Sequence, residues 1–436
     1  MLNLVLRSLA LFAVLLVYAG VQADPFDDSF FPYRDGPPTY PGLEVGMTID
    51  QSNVDQFKDI FAPGEFEYIK KGWNKVKVAK TVPFTLYHGY VEASRKNIGA
   101  ISLTDKGLLS SNWQAGRAFP FPPDKNDPQA GLKLIWNYQR GFNAGDSETI
   151  KPFWWSYKNA KTGKVERVLK WEWHFLNWMN RTQFDPKPNI EKNPSEIFRT
   201  GYSRVLEPFD LKDTQLLITR YQNDLHRDNV WLYLGFQRRV RRLDSGQITD
   251  AFLGTDIMIE DFEGYNGRVS DYTWEYGGTK YLLTPFLVRT PDLDLEPEAP
   301  GTPDGFKFIK FGGRGGCFPQ VPWMLRLVDI VIGTPKDASH PLSRRVIYLD
   351  RETSVMAELH NYDRKGKLWK TFNICKTLAD SHLPQNHGTG VPVEDCAVLQ
   401  DVQADHCTTL QFHSVINHEE NPPSLFTVQN LRKRGR

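Results

Sequence analysis

The chain has 436 residues, of which 24% are charged, and a formal net charge of +1 at pH 7. This length fits one large domain or two ordinary ones, and the balanced charge excludes a global attraction to nucleic acid or anionic membranes. A mean hydropathy of −0.47 with 40% hydrophobic residues excludes a disordered chain and a membrane protein. Aromatic residues make up 13% of the chain, which fits a β-rich core and also a wide apolar cavity or a stacking surface.

The N-terminus has the order of a secretory signal peptide. Arg7 is its only charge, an apolar run spans Leu9 to Val17, and Val21-Gln22-Ala23 is a small-residue exit. An uncleaved membrane anchor is the alternative, but this run is short for a span of roughly 20 apolar residues. We therefore predict cleavage after Ala23, without lipid modification because no Cys stands at the exit. The mature protein is expected to be soluble and outside the cytosol.

Helical patterns occupy the first third of the mature chain. Residues 24–46 are rich in Pro, Asp and Phe and predict an extended, poorly ordered segment. Apolar residues then recur at helical spacing in two stretches separated by Pro63-Gly64, and in a third stretch that ends at Gly141. The apolar positions are Val54, Phe57, Ile60 and Phe61, then Phe66, Ile69 and Trp73, then Ala130, Leu134, Ile135 and Tyr138.

From Phe153 onward the pattern changes to strands. Val165 to Trp178 has an aromatic stripe at period two and predicts a hairpin with the preceding Trp-rich segment. Residues 216–221 and 230–234 form a second antiparallel pair that runs on into a basic strand. Residues 344–349, 355–362 and 368–372 form a three-stranded meander. We predict an α+β protein with one large curved antiparallel sheet, covered by helices from the N-terminal part.

Five groups of motifs follow one another in an order that is specific when taken together. They are Pro120-Phe121-Pro122, Ile135-Trp136-Asn137-Tyr138, Val230 to Leu234 with Gln237 to Arg242, Tyr272-Thr273-Trp274, and Arg344 to Asp350 with Asn361 to Trp369. With them the chain resembles the family called domain of unknown function 1329, which consists of exported proteins of Gram-negative bacteria. The resemblance covers about Met47 to Phe372.

This resemblance implies a fold and a function. The family is similar to the lipoprotein-sorting carriers LolA and LolB, in which an incomplete antiparallel barrel is closed by helices over an apolar cavity. It implies a non-enzymatic carrier or chaperone for a lipid or other hydrophobic molecule, working with an RND-type exporter or an outer-membrane protein. The chain departs from the family pattern in its Trp154 to Trp178 hairpin, in Gly312 to Cys317 and after Phe372.

The expected organisation has four parts. A signal peptide covers residues 1–23, and the extended segment covers residues 24–46. A LolA/LolB-like half-barrel domain covers residues 47–375, and an irregular tail containing Cys and His covers residues 376–436. We expect a monomer without a cofactor and without nucleic acid as a partner.

An apolar cavity lined by aromatic side chains is the predicted binding site, because burial of an acyl chain there needs few polar contacts. Arg239 and Arg241 could contact a headgroup at the cavity mouth, since Arg forks around oxyanions. The alternative is that the arginines of the basic strand that contains Arg239 and Arg241 pair with Asp and Glu. The predicted lining residues are Trp171, Trp173, Phe175, Trp231, Tyr233, Phe236 and Trp274.

The four cysteines of this exported chain predict disulfides. We favour Cys396 with Cys407, which closes a short loop, and Cys317 with Cys375. A metal site is the alternative, because five histidines crowd the same region, but no metal-binding spacing occurs there. Those histidines are His382, His387, His406, His413 and His418.

An enzyme requires a catalytic constellation, and the sequence offers weak candidates. Asp256, Glu260 and Asp261 could perform acid–base chemistry, but clustered acids in a loop are more often solvated. The glycine-rich stretch before Cys317 lacks the ending of a phosphate loop. The alternative function is a carbohydrate-binding or hydrolytic protein, whose Trp side chains would be exposed and flanked by Asp or Glu. A third possible function is that of a structural partner of an outer-membrane protein.

Overall fold

The computed structural model describes residues 24–243, 248–296, 302 and 305–435. The predicted signal peptide, residues 1–23, lies outside the described residues. Within the described part of the chain, no helix is long and apolar enough to cross a membrane.

The chain alternates few short helices with many strands. The helices are α1 (Pro25–Phe30), α2 (Pro63–Lys70), α3 (His88–Arg95), α4 (Ala130–Gln139) and α5 (Val428–Arg434). The first strands are β1 (Thr48–Ile49), β2 (Val76–Ala79), β3 (Ser147–Asn159), β4 (Val165–Asn177), β5 (Ile197–Glu207), β6 (Gln215–Tyr221), β7 (Asn229–Leu234), β8 (Arg239–Leu243) and β9 (Tyr272–Thr284). The others are β10 (Phe286–Leu287), β11 (Phe311–Gly312), β12 (Phe318–Pro319), β13 (Pro322–Pro335), β14 (Leu342–Asp350), β15 (Met356–Asp363), β16 (Leu368–Thr377), β17 (Val393–Asp401) and β18 (His406–Ile416).

One open, curved 16-stranded sheet forms the body of the protein, as predicted. Its main path runs in the order β1-β2-β13-β14-β15-β16-β17-β18-β3-β4-β5-β6-β7-β8. β9 adds to β13 and β10 to β16. Neighbouring strands are antiparallel except for β2 with β13 and β10 with β16. The predicted meander is confirmed as β14, β15 and β16, and the pair β6–β7 is confirmed with β8 following it.

The two faces of the sheet are covered by different elements. We call the face that packs against α4 and residues 248–271 the inner face, and the opposite face the outer face. On the outer face, α2 and the 3₁₀ helix Val54–Ile60 cover the strands around β13 and β17. α5 covers β6, β7 and β8 on that same face. The early helices therefore cover the sheet as predicted, but they are divided between its two faces.

The N-terminal segment is more ordered than the sequence predicted. Asp24 caps α1, because its carboxylate accepts a hydrogen bond from the backbone N–H of Phe26 at 3.0 Å. Phe26 and Phe30 are buried and their rings stack with centroids 4.4 Å apart. Arg117 lies over Phe30 at 3.9 Å. The segment is therefore held by aromatic packing that its Pro-rich composition does not reveal.

The prediction of an irregular C-terminal tail was wrong. β17 and β18 lie in the middle of the sheet, between β16 and β3. The polar residues of β17 made this segment look irregular in the sequence. In the structure their charges are paired: Asp395 with Arg289 at 2.7 Å, and Glu394 with Lys376 at 2.9 Å.

The predicted disulfide pairing was also wrong. Cys317 is joined to Cys407, across a sequence separation of 90 residues. Cys375 and Cys396 are buried free thiols that face each other across β16 and β17. Cys396 and Cys407 lie on adjacent antiparallel strands, but they are not opposite each other in the register. They therefore do not form the predicted disulfide that would close a short loop.

Candidate functional site

An aromatic stripe runs along the inner face of β3 and β4. Side chains alternate between the two faces of a strand, so Trp171, Trp173 and Phe175 of β4 lie on one face of the sheet. Phe153 and Trp155 of β3 lie on the same face. Their rings pack closely: the centroids of Trp155 and Trp171 are 5.3 Å apart, and those of Phe153 and Trp173 are 5.7 Å apart. All five are buried. The sheet thus presents an apolar wall to whatever lies against it.

Residues 248–271, which we call the covering segment, lie against this wall. In the described residues the segment contains short 3₁₀ turns but no strand of the sheet, and its one β-bridge is internal, between Ala251 and Met258. Phe252 stacks on Trp171 with centroids 5.9 Å apart. Phe262 meets Trp173 edge-on at 5.0 Å. The covering segment is therefore held by side chains and not by a ladder of backbone hydrogen bonds.

A buried ion cluster fastens the covering segment to β14. The Arg345 guanidinium is fully buried; it donates to Asp261 at 2.8 Å and also contacts Glu260. His340 Nε2 lies 3.0 Å from Glu260 Oε2, and Tyr272 Oη accepts from Arg345 at 2.9 Å. Burial raises the pKa of Glu260, but Arg345 and His340 outweigh burial and hold this pKa below its usual value. The cluster therefore favours the ionised form of the Glu260 carboxyl inside the protein.

The three acids Asp256, Glu260 and Asp261 are therefore not solvated, contrary to the sequence-based interpretation. Asp256 is also buried, and it accepts hydrogen bonds from Thr408 at 2.8 Å and lies 3.0 Å from His406 Nδ1. Each acid has a structural partner. The arrangement explains how the segment is anchored and offers no free acid–base pair.

Two small cavities remain between the wall and the covering segment. Each has a volume of about 30 Å³, which is room for only about two water molecules. Trp173, Phe175, Phe262 and Glu263 border both cavities. Ligand sites for drug-sized molecules need about 300–1,000 Å³. The predicted open apolar cavity is therefore not present among the described residues in this conformation, because side chains of the covering segment fill the space against the wall.

The first cavity has a polar end. Glu148, Glu263 and Glu394 line it together with apolar side chains. Glu263 is paired with Arg199 at 2.8 Å, and Glu394 with Lys376. Glu148 accepts a hydrogen bond from Ser414, and burial, with a contribution from Glu394, raises its pKa to about 8. The cavity therefore combines an aromatic wall with a carboxyl group that is protonated at neutral pH.

The predicted lining residues lie in different environments. Trp173 and Phe175 line the cavities. Trp171 and Trp274 belong to the same inner core but do not border the remaining space. The other three predictions were wrong: Trp231 and Tyr233 lie on the outer face beneath α5, and Phe236 is 67% exposed in a turn.

Alternation explains this outcome. On β7 the inner face carries the even-numbered residues, such as Val230 and Leu232, so odd-numbered Trp231 and Tyr233 point to the outer face. Sequence analysis missed several wall residues, although period-two spacing in the Trp-rich hairpin partner was a usable signal for those of β3. The missed lining residues include Phe153, Trp155, Phe262, Phe372 and Phe412.

Among the described residues, no ion pair of the β8 arginines with an acid is seen, so the sequence-based alternative of pairing with Asp and Glu is not observed there. Arg239 and Arg241 are exposed on the edge strand and have no carboxylate partner among the described residues. They border neither of the two inner cavities. The predicted headgroup contact of Arg239 and Arg241 therefore does not lie at the mouth of either of these two cavities.

A larger cleft of about 740 Å³ lies elsewhere and is polar. It is bordered by Trp73 with Asp50, Gln51 and Lys75, a composition that would suit a sugar. The Trp73 ring, however, stacks against Tyr68 with centroids 5.7 Å apart, and the Arg314 guanidinium lies 3.9 Å from its centroid. The ring is therefore already in use for packing.

Three of the histidines near the cysteines have contacts with an acid or an aromatic ring. No group of three or more His, Cys, Asp or Glu side chains among the described residues is arranged to hold a metal ion. His406 contacts the carboxylate of Asp256. The Phe306 ring packs edge-on between the rings of His382 and His413, with both centroid distances 5.1 Å.

Comparison with known proteins places the chain in a family. An uncharacterized protein of Pseudomonas aeruginosa is 25% identical over 367 residues, which cover 82% of this chain and 73% of the relative. A crystal structure of a DUF1329 family protein from Desulfovibrio piger covers 70% of this chain and 100% of its own, with 16% identity and a TM-score of 0.46. A putative outer membrane lipoprotein-sorting protein domain from Vibrio parahaemolyticus gives the same values. The family described as "Protein of unknown function (DUF1329)" matches residues 48–432, and the chain therefore belongs to this family.

Proposed function

We propose that the protein is a non-enzymatic periplasmic carrier that binds a hydrophobic molecule between the inner face of its sheet and the covering segment. The observation that supports this proposal is the packing of Phe252 and Phe262 on the aromatic wall. These two rings occupy the position that an apolar guest would take. A guest of comparable apolar area would replace the contacts that the wall loses when the segment lifts, because apolar burial is worth roughly 25 cal/mol per Å².

The way the covering segment is attached supports its displacement. A strand of the sheet could leave only by breaking a backbone ladder, whereas this segment is held by aromatic packing and the ions around Arg345. Further contacts come from α4, where Tyr138 donates to the carbonyl of Glu263 at 2.7 Å. Such side-chain contacts can re-form after each loading cycle. The exported location, with cleavage after Ala23, and an RND-type exporter or outer-membrane protein as partner belong to the same proposal.

The aromatic side chains argue against the carbohydrate alternative. A sugar-binding protein needs accessible Trp faces beside acids, whereas Trp171, Trp173 and Trp274 are buried. The polar cleft at Trp73 offers a ring that is already covered. No observation in the described residues favours that second function over the first.

A cavity-filling variant tests the proposal. Ala397 is buried on β17 and lines the first cavity, so Ala397→Leu places three further carbon atoms in the remaining space. We expect it to weaken binding of a fluorescent neutral hydrophobe by about tenfold or more, which corresponds to roughly 1.4 kcal/mol. Ala357→Leu is the matched control, because Ala357 is equally buried on β15 but belongs to a different apolar cluster.

Both substitutions overpack a core, which destabilises by about 1–3 kcal/mol, so their unfolding free energies are measured alongside binding. Loss of binding in Ala397→Leu alone supports the proposal. Equal effects in both variants, or no binding by the parent protein, would overturn it.

A further inference from the structure

Two exposed aromatic side chains stand on neighbouring loops at one end of the sheet. Phe209, in the loop between β5 and β6, is 93% exposed, and Phe236, in the turn between β7 and β8, is 67% exposed. The two loops touch: a Cβ on Gly235 would lie only 2.4 Å from the carbonyl oxygen of Lys212. Phe209 is the most exposed large hydrophobic side chain among the described residues, and apolar surface exposed on adjacent loops is a candidate for an interaction site.

Exposed cations lie on the same two loops and on the neighbouring β8 and α5. The turn and β8 contribute four arginines, and the C-terminal end of α5 lies beside them, since Tyr233 Oη donates to the carbonyl of Gly435 at 2.5 Å. α5 is seated on this part of the sheet through Leu431, which is fully buried. The cations, which we call the basic edge, are Lys212, Arg238, Arg239, Arg241, Arg242, Arg432 and Lys433, and all seven are exposed.

In the part of the chain that the structure describes, the acids near the basic edge do not neutralise it. Glu207 is paired with Lys170 at 3.4 Å, and Asp213 lies 3.8 Å from Arg204. Asp210 is the remaining nearby acid among the described residues of the two loops. The whole chain has a net charge of only +1, so the concentration of positive charge is a local feature of this end of the molecule.

We propose that Phe209, Phe236 and the basic edge form a docking surface for a membrane that carries anionic phospholipids. Aromatic rings at loop tips enter the interfacial region of a bilayer. Lys and Arg beside them are attracted to anionic headgroups within a Debye length. An acidic protein would satisfy the cations but would leave two projecting Phe rings without an apolar host. This inference does not depend on the proposed cargo, because the surface lies outside the inner cavities.

Vesicle sedimentation tests the inference on the chain from Asp24 onward, which contains every described element. The vesicles contain phosphatidylethanolamine with roughly a quarter phosphatidylglycerol, and a second set contains phosphatidylcholine alone. We expect binding to the anionic vesicles only, and a decline as salt is raised. Because each cation near the surface contributes about a fivefold factor, Arg239→Gln with Arg241→Gln lowers the partition coefficient roughly 30-fold.

The matched control is Lys75→Gln with Lys77→Gln. These two exposed cations lie at or beside β2, near the opposite edge of the sheet, and have no ion pair among the described residues. We expect this control to bind like the parent. Phe209→Ser with Phe236→Ser is expected to weaken binding by about tenfold or more, through lost apolar burial. All these positions are exposed, so thermal unfolding serves to confirm that each variant is folded.

Three results would overturn the inference. The first is no binding to anionic vesicles by the parent protein. The second is equal loss in the basic-edge variant and the control, and the third is binding that salt does not affect. Loss confined to the basic-edge and Phe variants supports it, whether or not the protein binds a hydrophobic probe.

Discussion

Replacement of Arg345 by Met would loosen the covering segment while leaving the sheet intact. Arg345 is fully buried on β14, and its guanidinium joins the sheet to Glu260 and Asp261 of the segment. Met has a similar length and no charge. The variant therefore removes the central cation of the cluster and leaves two buried carboxylates without it.

Removal of one partner from a buried ion pair destabilises a protein by about 3–5 kcal/mol. The size of this loss depends on pH. Because the folded-state pKa of Glu260 lies below its usual value, its ionic contact stabilises the protein above the unfolded pKa and is lost as pH falls through the folded pKa. We therefore expect the full loss at neutral pH and a smaller loss in acid.

Urea unfolding measures the global loss, and hydrogen exchange of peptides from residues 252–271 measures local opening. Arg326→Met is the control: Arg326 is equally buried and pairs with Asp350 at 2.8 Å and Glu352 at 2.7 Å, away from the covering segment. Both variants should lose stability, but only Arg345→Met should expose the segment and bind a hydrophobic probe faster. Equal exchange of residues 252–271 in the two variants would refute the reasoning.

Three further predictions follow from buried titratable and sulfur groups. The folded-state pKa of Glu148 is raised to about 8 from 4.5. As pH rises between these two values, the free energy of unfolding therefore falls by up to roughly 1.4 kcal/mol per pH unit. Glu148→Gln should flatten this decline in urea titrations at several pH values, and an unchanged slope would contradict the prediction. Replacement of Cys317 and Cys407 by Ser opens a crosslink across 90 residues and should lower stability by about 4 kcal/mol; a thermal scan that shows no loss would count against a structural disulfide. Burial raises the pKa of the Cys375 and Cys396 thiols, so iodoacetamide should label them only in denaturant, and rapid labelling of the native protein would disprove their burial.

The sequence predicted elements whose signals are local. The stripe of β4 repeats at period two, and the meander of β14, β15 and β16 is bounded by turn residues. Both signals can be read without knowing the partner strand. They were enough to predict the large open sheet and to place Trp173 and Phe175 on its inner face.

The covering segment and the C-terminal strands depend on partners far away in the chain. Glu260 and Asp261 were interpreted as solvated because their cation, Arg345, follows more than 80 residues later. β17 read as irregular because its buried Asp395 is neutralised by Arg289 from another part of the chain. α5 was not predicted from the sequence. Because α5 covers the outer face, the aromatic side chains of β7 pack against it and not against the inner core. Non-local pairing of this kind leaves no periodic signal.

Photo-crosslinking with a diazirine-bearing fatty acid tests the central claim that the groove under the covering segment holds the guest. After irradiation and digestion, we expect labelled peptides from β3, β4 and residues 252–263, whose side chains form the two sides of the groove. Labelling confined to α5, to β8 and to the Phe209 loop, or no labelling above that of a water-soluble diazirine, would contradict the account.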